Sequence, residues 1–200
     1  WINFYARENK LTPEQVDDVL NHQAYHFRRA AELCPRAIRR TSFDQMAKDA
    51  GYQGIEFGLD ETGIVGLDSS DKDIKELKSI ADGEGIETPS LASGLYWEYP
   101  ITSLDKDIRE KSKSIVRRQL DIAALLGADT ILVVPGLVGA DFVSGAKVTE
   151  YDVAYDLSLE AFMELKEYAE KIKVNIGLEN VWNKFLFYSC KRIVPFAYIA

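Results

Sequence analysis

The chain has 200 residues, 46% of them hydrophobic and 11% aromatic, enough apolar surface to bury a core and too much for an intrinsically disordered chain. A net charge of -8 argues against holding nucleic acid by phosphate neutralisation and points to small molecules as partners. Cys34 and Cys190 are too few for a disulfide framework. With no signal-peptide pattern, and no apolar run near the ~20 residues a membrane span needs, the expected location is the cytoplasm and both thiols are expected to be free.

The charge is uneven. Residues 1–41 hold seven Lys or Arg against five Asp or Glu, a net +2 that leaves -10 for the remainder. Both histidines, His22 and His26, also lie in this segment. Thr12 as N-cap, Pro13 at the first helical position and Gln15 as the capping-box partner predict a helix there. Residues 1–41 therefore read as an atypical, helical N-terminal segment.

From Ser42 onward, helical and strand-like patterns alternate, the signature of βαβ units with parallel strands. Ser42 and Gln45 predict a helix that Gly51 ends, followed by a strand over 53–57. The next helix is expected over 70–83, with Ile74, Leu77, Ile80 and Ala81 on one face and Gly83 as its stop; a strand follows over about 86–91. Thr102 and Asp105 form a capping-box pattern before a long helix whose Ile108, Ile115, Ile122 and Leu126 share a face and which stops at Gly127. Its strand is 130–134. Thr149 and Asp152 repeat the pattern, Leu157, Ala161, Leu165, Tyr168 and Ile172 form a stripe, and the last strand is 174–179.

Strand spacings of roughly 33 to 45 residues fit either a (β/α)8 barrel or a doubly wound sheet. No Gly-x-Gly-x-x-Gly or Gly-x-x-x-x-Gly-Lys-Ser/Thr loop follows any strand, so the nucleotide-binding doubly wound folds lose their main support. A complete barrel takes about 250 residues. The fold expected is α/β, a partial (β/α)8 TIM barrel of about four to five βα units.

Alternation in the last strand sends Val174, Ile176 and Leu178 to the helix side and Asn175, Gly177 and Glu179 to the barrel interior. Glu179 then sits at the C-terminal end of its strand, where barrel enzymes keep catalytic groups; the plain alternative is a structural carboxylate held by a Lys or Arg. Glu56 faces inward by the same rule but sits mid-strand, where hydrogen bonding to neighbours is the simpler reading. His22 and His26 lack the His-Glu-x-x-His pattern and read as exposed helical residues. No Gly-x-Ser-x-Gly elbow occurs, and Cys190 lacks a partner set. Trp97, between Tyr96 and Tyr99 just past a strand, is a candidate surface for stacking on a sugar, or simply packs its loop.

MAKDAGYQGIEF at residues 46–57, LGADTILVVPG at 126–136 and GLENVWNKFL at 177–186 together resemble the sugar phosphate isomerase/epimerase family of the xylose isomerase-like TIM-barrel superfamily. Its members include pentulose-phosphate 3-epimerases, hexulose-phosphate isomerases and ketose 3-epimerases. The likeness covers about residues 42–187, which sets 42–187 apart as a partial barrel domain and 188–200 as an atypical tail. The first motif is widespread in the superfamily; GLENVWNKFL is more specific. The resemblance implies that Glu179 binds a divalent metal, Mn2+ by expectation, and moves a proton of a ketose or ketose phosphate through an enediolate, with Asn180 and Asn183 as substrate-binding neighbours.

The family draws an Asp, a His and a second Glu from later strands, and none of these is matched here. The 200 residues are therefore expected to bind metal weakly and to lack measurable epimerase activity by themselves. LASGLYW and VVPGLVG carry no His where endonuclease IV relatives have one, and Val181 stands where true xylose isomerases have Lys. The remaining alternatives are an inosose dehydratase or hydroxypyruvate isomerase activity, or a non-catalytic barrel fragment that self-associates.

Overall fold

The computed structural model describes residues 4–5, 47–49, 51–139 and 148–179. The boundaries expected at 41 and 188, the helix expected after Thr12, His22, His26, Cys34 and Cys190 all lie outside the described residues. In chain order the strands are β1 (Phe4–Tyr5), β2 (Gly54–Ile55), β3 (Phe57–Leu59), β4 (Ser90–Ser93), β5 (Thr130–Val133) and β6 (Asn175–Leu178). The helices are α1 (Asp71–Glu84), α2 (Lys106–Leu126) and α3 (Tyr151–Ile172), with a 3-10 turn at Leu95–Trp97.

Strands β3, β4, β5 and β6 form one parallel sheet in sequence order. A doubly wound sheet reverses its strand order where the chain switches faces; here α1 packs on α2 and α2 on α3, so the helices share one face and the winding continues in one direction. That is the geometry of a barrel wall, and it decides between the two folds that spacing alone leaves open. β1 pairs antiparallel with β2, with Phe4 opposite Ile55, an exception to the parallel pairing.

The same device ends the helical residues 47–49 and each of α1, α2 and α3. Gly51, Gly85, Gly127 and Lys173 all have positive φ. After each, the backbone doubles back: Tyr52 N–H donates to Ala47 O, Ile86 to Ala81 O, Ala128 to Ala123 O and Val174 to Ala169 O, which aims the chain into the next strand. Gly51 and Gly127 act as expected, but the second helix stops at Gly85 rather than Gly83, since Gly85 holds the left-handed conformation at φ 69°.

Helix starts depart further from the sequence pattern. Ser70 does form a capping box with Asp73: its Oγ accepts from Asp73 N–H at 3.2 Å, and its own N–H donates to the Asp73 carboxylate at 3.1 Å. Thr102 does not cap α2; Asp105 does, accepting from Asp107 N–H at 2.9 Å, while the Thr102 hydroxyl is bonded to Leu137 instead. Nor does Thr149 cap α3, whose N-cap position holds Glu150 without a side-chain cap bond; Thr149 N–H donates to Val138 O. Both threonines staple loops rather than helices.

The core lies between the sheet and the helices. Ile131, Val133, Leu91 and Val174 face Ile74, Leu77, Ile115, Leu120, Ile122 and Leu165, all buried. The α2 and α3 stripes are rotated from expectation: Ile108, Leu157, Tyr168 and Ile172 are half-buried, while Ser112, Gln119, Ala154, Ser158, Phe162 and Ala169 are buried. No helix among the described residues is long and apolar enough to cross a membrane.

Candidate active site

The inner face of the sheet is set by strand alternation. Ile55, Phe57 and Leu59 are buried toward the helices, which turns Glu56 to the other side. Ser90 meets it there: Phe57 pairs with Leu91, so Ser90 lies one step back opposite Glu56 and its Oγ donates to the Glu56 carboxylate at 2.5 Å. Thr130 and Leu132 continue the inner row on β5, and a Cβ added to Gly177 on β6 would lie 3.2 Å from both side chains. Glycine at 177 keeps β6 close to that row, and the ladder runs on past the strand end, with Glu179 N–H donating to Val133 O at 2.9 Å.

Glu179 thus stands where expected, at the C-terminal end of β6 on the inner side. Although the residue is exposed, partial burial of its carboxyl against the sheet, reinforced by the charge of Glu56, raises its proton affinity above the ordinary carboxylate value. Glu56 itself is completely buried and hydrogen-bonded to Ser90, as its mid-strand position suggested. The two carboxylates share the barrel interior, one deep and one at the rim.

The rim loops are built from β4 and β5. Beyond β4, Leu95–Trp97 form the 3-10 turn, with Tyr96 fully buried, Trp97 half-buried against the core, and the turn capped by Glu98 N–H donating to Leu95 O. The Tyr96 hydroxyl donates to Gln119 on α2, and burial raises its proton affinity, so it stays protonated. The Tyr99 hydroxyl donates to Glu61 in the loop after β3 at 2.8 Å, and the Lys111 ammonium lies 5.7 Å from the Tyr99 ring centre. The bond to Glu61 is the main cause that pushes the Tyr99 hydroxyl up to about 12. Thr102 joins the β4 and β5 loops, donating to Leu137 O at 2.7 Å and accepting from Leu137 N–H at 2.9 Å.

Sequence reasoning missed Ser90, Gln119 and the Tyr99–Glu61 bond. Gln119 did leave a signal, being a polar residue three to four positions from Ile115, Val116, Ile122 and Ala123 on a buried stripe. Asn180 and Asn183 lie outside the described residues, and Trp97 reaches the same end of the sheet as Glu179. A cavity of about 270 Å³ opens at the opposite end, lined by Gln53, Glu87, Asp129, Ser90, Thr130 and Leu132. In barrels the chemistry belongs to the end that carries Glu179.

Among the described residues no three His, Cys, Asp or Glu side chains converge on one point. Glu56 is engaged by Ser90, and Glu179 lies at the strand end nearer the rim. The described residues therefore do not make a complete divalent-cation site on their own.

A one-way wound parallel wall with a carboxylate at the end of its last strand defines a (β/α)8-type protein. The family model described as xylose isomerase-like TIM barrel matches residues 45–197, and the chain belongs to that family. Among individual relatives, a Haemophilus influenzae protein provisionally named an L-ribulose-5-phosphate 3-epimerase is 31% identical over 88 residues, which cover 43% of this chain and 31% of that protein. A solved D-psicose 3-epimerase, crystallised in the presence of D-fructose, superposes with a TM-score of 0.65 at 19% identity over 80% of this chain and 53% of that one. A xylose isomerase-like TIM barrel protein from Mycobacterium smegmatis in complex with magnesium superposes at 0.60 with 18% identity, over 82% of this chain and 53% of that one. The chain spans about half the length of these solved relatives and under a third of the curated one.

Proposed function

We propose that the protein serves in the isomerisation or epimerisation of a ketose or ketose phosphate, with Glu179 as the group that moves the proton. The observation that carries this reading is the position of Glu179: on the inner side of the last parallel strand, at the end where barrel enzymes work, with a carboxyl whose proton affinity is raised by partial burial and by Glu56. A carboxylate shifted toward neutrality is a better base for the weakly acidic C–H beside a carbonyl. Glu179 takes that proton, the electron pair moves into the carbonyl to give an enediolate, and return of a proton to the opposite face by a second acid inverts the carbon. Return to the neighbouring carbon isomerises the sugar instead.

Half-buried Trp97 offers an apolar ring at the same rim for the sugar, and the resemblance adds Asn180 and Asn183 as polar contacts. The Haemophilus relative's name, the D-psicose 3-epimerase fold and the magnesium-bound neighbour support a sugar substrate and a divalent cation. Mn2+, the ion implied by the resemblance, would need ligands beyond the described carboxylates. A cytoplasmic protein acting on small molecules, and able to self-associate, completes the proposal.

The test uses the chain completed with the C-terminal half of a ketose 3-epimerase, incubated with D-fructose or L-ribulose 5-phosphate and Mn2+ in deuterated water. Deuterium is expected to enter the carbon beside the carbonyl, and Glu179→Gln is expected to lower the rate by about 100-fold or more. Full exchange in the variant would overturn the assignment of Glu179. The 200 residues alone are expected to show neither exchange nor a stoichiometric Mn2+ site by calorimetry.

A further inference from the structure

Strands β4 and β5 each run four residues, yet they pair only at Ser90 with Thr130 and Leu91 with Ile131. The next pair of strands behaves differently, since β5 and β6 stay in register as far as Val133 and Leu178. The register between β4 and β5 therefore stops after Leu91 and Ile131, short of the strand ends that lead to the rim.

Gln119 bonds to both strands where that register stops. It is completely buried on α2, and its Nε2 donates to Leu91 O at 2.7 Å and to Leu132 O at 3.2 Å, one carbonyl from each strand. Its Oε1 accepts from the hydroxyl of Tyr96, in the 3-10 turn that carries Trp97. Both N–H groups and the oxygen of the amide are thereby engaged. A leucine or methionine would fill the same place on the α2 stripe without the cost of desolvating an amide, so packing alone does not account for glutamine. The geometry has a directional result: the amide ties a carbonyl of β4 to a carbonyl of β5, and its far side holds the first turn of the rim loop.

We propose that Gln119 is a positioning residue that bridges β4 and β5 toward the rim and, through the Tyr96 hydroxyl, fixes the turn on which Trp97 meets the sugar. The sugar part of this inference rests on the reading given under Proposed function; the positioning part does not. Thr102 and Leu137 tie the same two loops together farther out, so the Gln119 bonds set where Trp97 begins its turn rather than whether the loop is attached.

The test is made on the full 200-residue chain. The indole N–H resonance of Trp97 is assigned by its loss in Trp97→Phe and then followed in Tyr96→Phe, which keeps the ring and removes only the hydroxyl, and in Gln119→Leu. Both variants are expected to shift or split the Trp97 resonance and to speed backbone amide exchange over residues 93–99, while the amides of Ile74 and Leu77 on α1 stay as they are. An unchanged Trp97 resonance in Tyr96→Phe overturns the proposal. So does a change spread equally over α1, which would mean general loosening. If Gln119→Leu does not fold, Tyr96→Phe decides alone. Titration with D-fructose on the same resonance separates the two ideas: a response in the parent chain that weakens about tenfold in Tyr96→Phe supports the positioning of a sugar-binding Trp97. No response in the parent chain counts against the sugar reading of Trp97, and the positioning proposal is then judged on the resonance and exchange alone.

Discussion

Replacing Thr102 by Val changes one hydroxyl to a methyl at a position 1% exposed, and it removes both bonds to Leu137, itself 7% exposed. The shape is kept, so the effect isolates the hydrogen bonds. Each buried backbone group left without its partner costs about 1–3 kcal/mol, which puts the combined loss at roughly 2–4 kcal/mol once partial relaxation is allowed. That is a large share of a total stability of about 5–15 kcal/mol. Thr102→Ser keeps the hydroxyl and loses a methyl, at a cost of about 1 kcal/mol. In urea unfolding, where slopes for small proteins run about 1–3 kcal/mol per molar, Thr102→Val is expected to lower the midpoint by on the order of 1–2 M with the slope unchanged. Gly136→Ala should strain the same staple, because Gly136 has φ 142° and a Cβ there would lie 2.2 Å from Thr102 Cγ2. The reasoning is refuted if Thr102→Val unfolds with the parent midpoint, or if Thr102→Ser proves the costlier change.

Three further outcomes follow from individual residues. Lys173 is the non-glycine residue with positive φ among the described residues, so Lys173→Gly is expected to raise stability by about 1 kcal/mol, read as a higher Tm; a fall would mean that the lysine side chain contributes more than the strain removes. Glu164 accepts from Lys113 and Arg117, and the Lys113 bond is the chief cause that holds its carboxyl below the ordinary value. Its contribution is therefore present above the ordinary carboxylate value and lost as pH falls toward the lowered one; being largely exposed, it should make the parent more stable than Glu164→Gln by no more than about 1 kcal/mol at neutral pH, a gap that closes in acid. Glu179 has the opposite sign. Its raised proton affinity means that ionisation opposes folding above the raised value and has no effect below the ordinary one, so Glu179→Gln should be the more stable protein at pH 7 and lose that advantage in acid, as followed by thermal melts across pH.

The order of helices and strands was legible because periodicity and glycine stops are local. Gly51 and Gly127 end their helices as read, and the strands at 130–134 and 174–179 differ from β5 and β6 only at their ends. Where the reading slipped, a non-local bond had taken the local signal. The strand expected at 86–91 is β4, at Ser90–Ser93, because Pro89 has no N–H to give a ladder and the Thr88 hydroxyl is drawn to Leu126 O at the end of α2 at 2.8 Å. The capping-box pattern at Thr102 failed for the same reason, its hydroxyl being bonded to the loop after β5; at Thr149 it is the backbone N–H, the group a capping box would bond to Asp152, that goes to that loop.

The candidate site shows how far alternation reaches and where it stops. Counting by twos along a strand turns both Glu56 and Glu179 inward, and composition cannot rank them. Position along the strand, middle against end, ranks them, and register supplies the partner. Because Phe57 lies beside Leu91, a serine 34 residues away falls opposite Glu56 and engages it deep in the wall, whereas Glu179 follows the last paired residue, Leu178, and emerges at the rim. Sequence placed Ser90 in a strand but had no means of telling which neighbour it would meet, since parallel register is fixed by the packing of α1 and α2 on the sheet rather than by any turn between the strands. Register thus adds a bonding partner to a separation by depth that position along the strand already implied. The buried one is held by a hydroxyl and adds its charge to the interior, and that charge helps to raise the proton affinity of the one at the rim. A search for chemistry in this chain therefore starts at the end of β6.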